Sequence, residues 1–329
     1  MTTKIAIIGA GLSGLTIAKL LQNKQFSIDI FDKGRGVGGR MSSRRTQWGY
    51  IDHGAQYFTV KTFLFREFLQ KYSSIITPWG GKFACWQDGE FISISLENSR
   101  YVPTIAMSNL CKNIAMGLKV RLETRITHLE KSTSWTLIDE NDQKYLGYDF
   151  VIITAPPIQT FDLLKSHTII ADSIEGLKMY PCFSLMIIPE TKLNISFDSI
   201  EFQHPILGWV AVNDSKPLRG ENGAMVIQSN FLWAEENLEQ NREILGKILK
   251  KTTEDIFEIK FNKILYESLH LWRYAIPQQS INHELTMLDQ EYYLDMDQNI
   301  GVCGDWCLNG KIESAFLSGY HLAEKITNL

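Results

Sequence analysis

The chain has 329 residues, of which 44% are hydrophobic and 21% charged, a balance typical of a globular protein with one large or two intermeshed domains. Its net charge of -4 gives no overall positive field, which excludes nucleic acid and anionic membranes as expected partners. No segment has about 18 consecutive apolar residues, so no transmembrane helix is expected. Five scattered cysteines without metal-ligand spacing are typical of reduced thiols, so we expect a cytoplasmic protein without a metal site.

The first residues of the chain contain the pattern of a βαβ unit. A short apolar run, KIAII at residues 4–8, is followed by the glycine sequence GAGLSG at residues 9–14. A helical pattern continues to Leu21, and FSIDIF at residues 26–31 forms a second apolar run. Strand, glycine turn, helix and strand in this order predict a parallel sheet.

The glycine sequence has the spacing that binds the pyrophosphate of a dinucleotide. Gly9 permits the tight turn, Gly11 lets the backbone approach the phosphates, and Gly14 lets the helix pack on the strand. Leu12 and Ser13 begin the helix, whose N-terminal amides and dipole attract negative charge. The alternative is a turn that serves helix packing only, and we favour dinucleotide binding.

The second strand ends at Asp32, about 20 residues after the glycines, where a carboxylate accepts hydrogen bonds from ribose hydroxyls. Its negative charge disfavours the 2′-phosphate of NADP. The neighbouring Lys33 and Arg35 nevertheless leave NADP open as a minor alternative.

A second glycine-rich stretch, DKGRGVGGRM at residues 32–41, indicates FAD, because nicotinamide enzymes seldom need such a loop at this point. Its amides can face phosphate, and Arg40 can neutralise the phosphate charge. Arg44 and Arg45 are interpreted instead as a solvated basic face. The predicted cofactor contacts of the stretch are Asp32, Lys33, Gly39, Arg40 and Met41.

The segment DHGAQYF at residues 52–58 combines small and aromatic residues. Its glycine and alanine leave space for a close backbone approach, and Gln56 and Tyr57 are expected to place an amide and a ring beside the cofactor. The alternative is an ordinary strand with its aromatic rings in the core. His53 is interpreted as a hydrogen-bonded structural residue rather than a general base.

The middle of the chain mixes both kinds of element. We predict helices at residues 61–72 and 104–115, and a buried strand at 148–157 that two prolines end. Residues 160–271 contain several β-like runs and one long helix at about 234–256. No internal repeat interrupts this pattern.

The last part of the chain supplies a strand and a terminal helix that resemble the first unit. The strand NIGVCGD ends in a carboxylate placed to bind a ribityl hydroxyl, and the helix at residues 312–326 follows. The N-terminus of that helix is expected to stabilise negative charge on reduced flavin. The alternative is a helix that only docks on the sheet. The predicted site residues here are Gly304, Asp305, Ile312, Ser314 and Ala315.

Four motifs together resemble the renalase-like flavoproteins, within the larger amine-oxidase and phytoene-desaturase group of FAD enzymes. They are DKGRGVGGRM, DHGAQYFT, WRYA, and GDW with KIESAFLSG. The resemblance covers nearly the whole chain, although the middle of the chain matches only in its length and in its general residue pattern. It implies a two-domain fold of the hydroxybenzoate-hydroxylase type, with an α/β Rossmann-like domain for non-covalent FAD and an inserted α+β substrate domain. It also implies FAD contacts at Ser13, Arg40, Gln56 and Tyr57, and an adenine contact at the backbone of Ile126.

A discontinuous FAD-binding domain follows from this organisation, because the dinucleotide unit begins the chain and its partner strand and helix end it. We assign residues 1–60, 99–160 and 272–329 to the FAD-binding domain. Residues 61–98 and 161–271 form the substrate domain. The sequence leaves the oligomeric state open.

The resemblance implies an oxidase of misreduced nicotinamide dinucleotides, the 2- or 6-dihydro forms of NAD(P), with dioxygen as electron acceptor. Hydride loss from a dihydropyridine gives an aromatic pyridinium directly, so we assign no catalytic side chain. The candidates that face the substrate are Tyr57, Trp272, Tyr274 and Trp306. Two alternatives stay open: a flavin amine oxidase or desaturase acting on another small molecule, and a flavin-binding sensor without turnover.

Overall fold

The computed structural model describes residues 2–22, 25–95, 97–280 and 290–328. Its α-helices are α1 (Leu12–Leu21), α2 (Phe63–Gln70), α3 (Ser108–Ile114), α4 (Pro157–Leu164), α5 (Ile170–Ile174), α6 (Phe231–Glu236), α7 (Arg242–Phe257) and α8 (Ile312–Thr327). None of the helices in these ranges has the length and apolar content needed to cross a membrane.

The strands fall into two large sheets, one small sheet and two short ladders. They are β1 (Thr3–Ile8), β2 (Phe26–Phe31), β3 (Arg44–Thr46), β4 (Gly49–Ile51), β5 (Ile76–Pro78), β6 (Phe83–Gln87), β7 (Glu90–Ser93), β8 (Tyr101–Pro103), β9 (Val120–Arg121), β10 (Ile126–Lys131), β11 (Trp135–Asp139), β12 (Lys144–Tyr148), β13 (Phe150–Ile153), β14 (Met179–Pro189), β15 (Ser199–Phe202), β16 (Leu207–Val212), β17 (Met225–Ser229), β18 (Ile264–Pro277), β19 (Tyr293–Asp295) and β20 (Ile300–Val302).

The first large sheet has six strands in the order β19-β20-β13-β1-β2-β9. Strand β1 pairs in parallel with β2 and β13, and β13 pairs in parallel with β20. The beginning and the end of the chain therefore build one sheet, as the sequence predicts. Helices α1 and α8 cover one face, where a Cβ at Gly319 would lie 2.6 Å from the Ser13 carbonyl oxygen. This contact explains why the α8 sequence needs glycine there.

The second large sheet has seven strands in the order β18-β14-β17-β16-β15-β6-β7. Helix α7 packs on it through Leu245 and Leu249, which belong to the same buried cluster as Phe183 and Ile227. Strand β18 runs through the domain boundary predicted at residue 272, because it pairs with β14 as far as Pro277. The assignment of residues to two domains otherwise stays a prediction.

The long helix predicted at about 234–256 is two helices, α6 and α7. Asn241 breaks the run because its side-chain oxygen accepts hydrogen bonds from the amides of Glu243 and Ile244, which makes it the N-cap of α7. The helices predicted at 61–72 and 104–115 are present but shorter, as α2 and α3. The α/β fold with a Rossmann-like sheet and a second, mainly antiparallel sheet is the one that the sequence predicts.

Candidate functional site

A cleft of about 1890 Å³ is lined by the β1–α1 turn, the glycine-rich loop after β2, the end of β20 and strand β18. It brings together residues from both ends of the chain, such as Gly9 and Ala315, and most of the predicted site residues line it. The predicted residues that line the cleft are Gly9, Gly11, Leu12, Ser13, Asp32, Lys33, Gly39, Arg40, Met41, Ile126, Trp272, Tyr274, Gly304, Asp305, Ile312 and Ala315.

The N-terminus of α1 is shaped for a group that approaches the backbone closely. Gly9 has a φ of +116°, and a Cβ at Gly14 would lie 2.1 Å from the Gly9 carbonyl oxygen, so both positions require glycine. A Cβ at Gly11 would meet no protein atom within 4 Å and would extend into the cleft. No side chain caps the helix, which leaves its first amides available for a phosphate.

The carboxylate of Asp32 is held in place by the loops on both sides of it. It accepts hydrogen bonds from the amide of Ala10 at 2.7 Å and from the amide of Gly34 at 2.6 Å. The loop then turns through Gly38 and Gly39, which have φ values of +114° and +51°. These contacts fix a carboxylate beside the phosphate-binding turn, where it could accept ribose hydroxyls.

Arg40 and Asp305 form an ion pair across the cleft with two hydrogen bonds, one of them 2.8 Å long. The Arg40 guanidinium also donates to the carbonyl oxygen of Ala275 in β18, at 3.1 Å. Arg40 therefore connects the glycine-rich loop both to the residues that follow β20 and to strand β18. Both residues remain lining residues of the cleft, so they could contact a phosphate or a ribityl chain from its wall.

Five predicted site residues do not line the cleft: Gly14, Gln56, Tyr57, Trp306 and Ser314. The side chain of Gln56 turns inward, where its amide donates to the carbonyl oxygens of Asp52 and Gly54. The ring of Tyr57 packs near Trp79 and Trp209. Both side chains therefore have partners within the protein, and the expectation that they lie beside the cofactor stays a prediction.

Trp306 and Ser314 likewise have polar groups with partners within the protein. The indole nitrogen of Trp306 donates to the Ala155 carbonyl oxygen at 3.0 Å, and the ring is buried. The Ser314 hydroxyl donates to the side-chain oxygen of Asn309 at 2.5 Å. Ile312 and Ala315, in the same first turn of α8, do line the cleft.

Gly54 makes a close backbone contact, as the sequence predicts, and its partner is the glycine-rich loop. A Cβ at this position would lie 2.0 Å from the carbonyl oxygen of Arg40. The amide of the next residue, Ala55, donates to the same oxygen at 2.9 Å. The glycine is therefore required so that the DHGAQYF segment can pack on the glycine-rich loop.

One wall of the cleft is built from His53, His270 and Trp272. The rings of His53 and Trp272 are stacked with centroids 5.2 Å apart, and the His270 ring lies edge-on to both at 4.8 and 4.5 Å. The indole nitrogen of Trp272 donates to the His53 carbonyl oxygen at 2.8 Å. We call these three residues the aromatic wall.

The aromatic wall is uncharged at neutral pH. Burial, together with the charges of His270 and Arg44, lowers the pKa of His53 to about 3. Burial and the charges of Arg44 and Arg242 lower the pKa of His270 to about 4. Neither histidine is therefore matched to proton abstraction near pH 7.

Cationic residues line the cleft near this wall. Arg44, expected from the sequence to be solvated, is partly buried and lines the cleft, and so does Arg242 at the start of α7. Sequence patterns missed His270 and Arg242, although the alternation in LHLWRYA places His270 and Trp272 on one face of a strand. The described residues contain no group of three side chains able to hold a metal ion.

The geometry fits FAD: an open phosphate turn at an uncapped helix, a fixed carboxylate beside it, and a long cleft that ends in aromatic rings. The sequence of the chain matches a family model described as "Flavin containing amine oxidoreductase" over residues 59–327. A model described as "NAD(P)-binding Rossmann-like domain" matches residues 7–72.

Solved structures share the fold. The chain is similar to a candidate protoporphyrinogen oxidase from Exiguobacterium sp. 255-15, with 11% identity, a TM-score of 0.80 and 99% of each chain covered. It is also similar to wild-type putrescine oxidase bound to putrescine, with 11% identity, a TM-score of 0.73 and 100% of each chain covered. The family model spans most of the chain, and the chain therefore belongs to the flavin containing amine oxidoreductase family, with FAD as its cofactor.

Proposed function

We propose that this protein is a renalase-like, FAD-dependent oxidase of misreduced nicotinamide dinucleotides. Its substrates are the 2- or 6-dihydro forms of NAD(P), and its products are NAD(P) and hydrogen peroxide. The observation that carries the proposal is the aromatic wall, which is uncharged at neutral pH. The cleft-lining cations Arg44 and Arg242 lie near it. When bound, FAD accepts a hydride and passes the electrons to dioxygen.

The aromatic wall suits a substrate that loses a hydride without losing a proton. A dihydropyridine becomes an aromatic pyridinium in one step, so it needs a flat apolar surface and no general base. His53 and Trp272 supply stacked rings, and the low pKa of His53 keeps it from acting as an acid or base near pH 7. The chain's part in the reaction is then to position the ring and to exclude water.

The charges near the wall favour an anionic substrate over an amine. The carboxylates among the lining residues are Asp32, Glu140, Asp162 and Asp305. Asp305 is paired with Arg40, and Asp32 accepts hydrogen bonds from two backbone amides. Glu140 directly follows β11, and Asp162 lies in α4. An ammonium group at the aromatic wall would instead meet Arg44 and Arg242, which costs free energy.

The FAD contacts belong to the same proposal. The amides at Leu12 and Ser13 hold the pyrophosphate, Asp32 accepts ribose hydroxyls, and the backbone of Ile126 contacts adenine. The first turn of α8, at Ile312 and Ala315, faces the flavin ring. These assignments are supported by the position of each residue in the wall of the cleft.

FAD is held without a covalent bond. Within the described ranges, the cysteine that lines the cleft is Cys182, and burial raises the pKa of its thiol to about 12. A thiol with this pKa is almost entirely protonated near pH 7 and is a poor nucleophile. Acid precipitation of the yellow protein should leave the flavin in solution, and flavin in the pellet would contradict this part of the proposal.

The experiment that tests the function is flavin bleaching in the absence of oxygen, in a stopped-flow instrument. The 2-, 4- and 6-dihydro isomers are compared at equal concentration, together with a panel of amines. We expect the 2- or 6-dihydro isomer to bleach the flavin fastest, because a hydride that is misplaced by an ångström or two loses orders of magnitude in rate. Under air, the same isomer should yield hydrogen peroxide and NAD(P).

Other outcomes would assign another function. Fastest bleaching by the 4-dihydro isomer indicates a general NAD(P)H oxidase or reductase. Bleaching by an amine alone indicates an amine oxidase, in keeping with the name of the family. Slow or absent reduction by every donor indicates a flavin-binding protein without turnover.

A further inference from the structure

Arg44 lies in the wall of the cleft with a donor that has no partner. Its guanidinium Nε is buried, and no hydrogen-bond acceptor reaches it from the described parts of the chain. A buried donor on a charged group destabilises the protein when it is left unpaired. The unpaired Nε of Arg44 therefore destabilises the protein without ligand, and an anion bound to it would remove this destabilisation.

Arg242 lines the same cleft from α7, the helix that packs on the second large sheet. It is the first residue of α7, whose N-cap Asn241 fixes the start of the helix, and it lies over the ring of Phe183 in β14. Its positive charge and that of Arg44 both lower the pKa of His270. The two guanidinium groups are therefore close to one histidine of the aromatic wall, although they come from different elements, β3 and α7.

No carboxylate of the described residues neutralises this pair. Neither arginine takes part in any of the ion pairs found there, whereas Arg40 and Arg219 each bind a buried aspartate. Two cations that line a cleft without a counter-ion favour the binding of an anion. The planar guanidinium group presents paired donors that match the oxygens of a phosphate.

We propose that Arg44 and Arg242 bind a phosphate group of the substrate while its ring lies on the aromatic wall. The inference rests on the proposed function, which makes this phosphate part of the pyrophosphate of the dihydronicotinamide dinucleotide. The site is separate from the phosphate turn at the N-terminus of α1, which holds FAD. The two arginines therefore set the preference for a nucleotide over a free dihydronicotinamide.

The experiment compares three donors of the same productive isomer: the riboside, which has no phosphate, the mononucleotide and the dinucleotide. The apparent dissociation constant and the limiting rate come from the concentration dependence of flavin reduction without oxygen. In the wild-type holoenzyme, we expect the two phosphorylated donors to bind about 10- to 100-fold more tightly than the riboside. Limiting rates should be similar, because the reacting ring is the same.

The variants are Arg44→Gln and Arg242→Gln, with Arg66→Gln on the exposed side of α2 as a control for the loss of one positive charge. Each cleft variant should weaken the dinucleotide by about tenfold and leave the riboside unchanged. The flavin absorbance verifies that FAD is still bound. An equal loss for the riboside and the dinucleotide, or no loss for either, would overturn the proposal.

A binding measurement separates this inference from the proposed function. Inorganic pyrophosphate is titrated into the oxidised holoenzyme in a calorimeter, with FAD in place at its own phosphate turn. Binding by the wild type that is lost in Arg44→Gln supports the phosphate site even if no dihydronicotinamide reduces the flavin. Equal pyrophosphate binding by the wild type and both cleft variants overturns the site, even if the dihydronicotinamide reaction is found.

Discussion

Arg40 and Asp305 form an ion pair that joins two loops 265 residues apart in the sequence. The Asp305 side chain is 7% exposed and the Arg40 side chain 32%, so the carboxylate is the more buried partner. The arginine of the glycine-rich loop therefore has two tasks. It compensates a buried carboxylate of the protein and presents positive charge to the cleft.

The first prediction is that Arg40→Ala weakens FAD binding more than Arg45→Ala. Loss of a charge-assisted contact, with Asp305 left unpaired, should cost about 1.5–3 kcal/mol of binding free energy. Arg45 is exposed, and a solvated arginine contributes less than about 1 kcal/mol. Fluorescence titration of the apoprotein with FAD measures both. Equal affinities of the two variants would remove Arg40 from the FAD site.

The second prediction concerns Asp52, a fully buried carboxylate that joins the DHGAQYF segment to the second sheet. It accepts hydrogen bonds from Arg219 at 2.9 Å and from Lys216 at 3.3 Å, and both cations are fully buried. Burial opposes its ionisation, yet the two cations and the amide of Met107 hold the pKa of Asp52 below its ordinary value. The pair Lys216 and Arg219 therefore depends on this one carboxylate.

Asp52→Asn keeps the shape of the side chain and removes its charge. We expect the free energy of unfolding to fall by about 3–5 kcal/mol, because two buried cations lose their counter-ion. The control is Glu130→Gln, which breaks the exposed pair with Lys144 and should cost less than about 1 kcal/mol. Urea unfolding of both holoproteins gives the comparison. A similar small loss in both would show that the buried cluster does not contribute to stability.

The third prediction concerns acid and the aromatic wall. In the unfolded chain both histidines take up protons near pH 6.5, whereas in the folded protein His53 and His270 do so only near pH 3 and 4. The unfolded state therefore binds more protons as the pH falls below 6.5, and stability is lost in that window. The loss between pH 7 and pH 4 should be about 3 kcal/mol from His53. His270 adds a smaller loss, because solvent screens this less buried group.

His53→Gln removes one of the two groups and should reduce this acid loss relative to the wild type. The same variant should keep most of the rate of flavin reduction, because it removes no proton-transfer group and Trp272 still supplies a ring for the substrate. Neither histidine should make the wild-type rate depend on pH between 5 and 8. General-base catalysis would contribute about 10²–10⁴-fold. A loss of that size, with FAD still bound, would show that His53 moves a proton in the reaction.

Local patterns predict the first βαβ unit because glycine spacing, strand length and helix periodicity all lie within residues 3–31. The wall of the cleft could not be predicted in the same way. The Trp272–His53 hydrogen bond joins residues 219 positions apart, and no local pattern fixes a contact of that range. The sequence therefore predicts the glycine turn and singles out Trp272, but it does not predict the contacts that assemble the aromatic wall.

The positions of two side chains that the sequence does not predict have a common physical cause. Gln56 and Arg44 have side chains whose partners are set by tertiary structure rather than by neighbours in sequence. Gln56 is turned inward by Lys216, whose ammonium donates to its side-chain oxygen at 2.8 Å. Arg44 lies in the cleft because β3 pairs with β4 beside the DHGAQYF segment. Neither arrangement follows from spacing or composition.

The last prediction concerns the β1–α1 turn with Gly9, Gly11 and Gly14. Variants of these glycines can distinguish an effect on packing from an effect on cofactor binding. At Gly11 a Cβ would meet no protein atom within 4 Å, and the backbone has an extended, unstrained conformation with φ of -74°. Gly11→Ala should therefore leave the unfolding temperature of the apoprotein unchanged or slightly higher. FAD affinity should fall roughly tenfold or more, because an added methyl in a filled site costs about 1–3 kcal/mol.

Two control variants show which contact is responsible. Gly80→Ala also adds a methyl group in open space, but outside the cleft, and should keep both stability and FAD affinity. Gly14→Ala brings a Cβ to 2.1 Å from the Gly9 carbonyl oxygen and should lower stability with or without FAD. Calorimetry of the apoproteins and fluorescence titration with FAD measure the two effects separately. If Gly11→Ala binds FAD as tightly as the wild type, the pyrophosphate does not lie against this turn, and the FAD assignments at Leu12 and Ser13 fall with it.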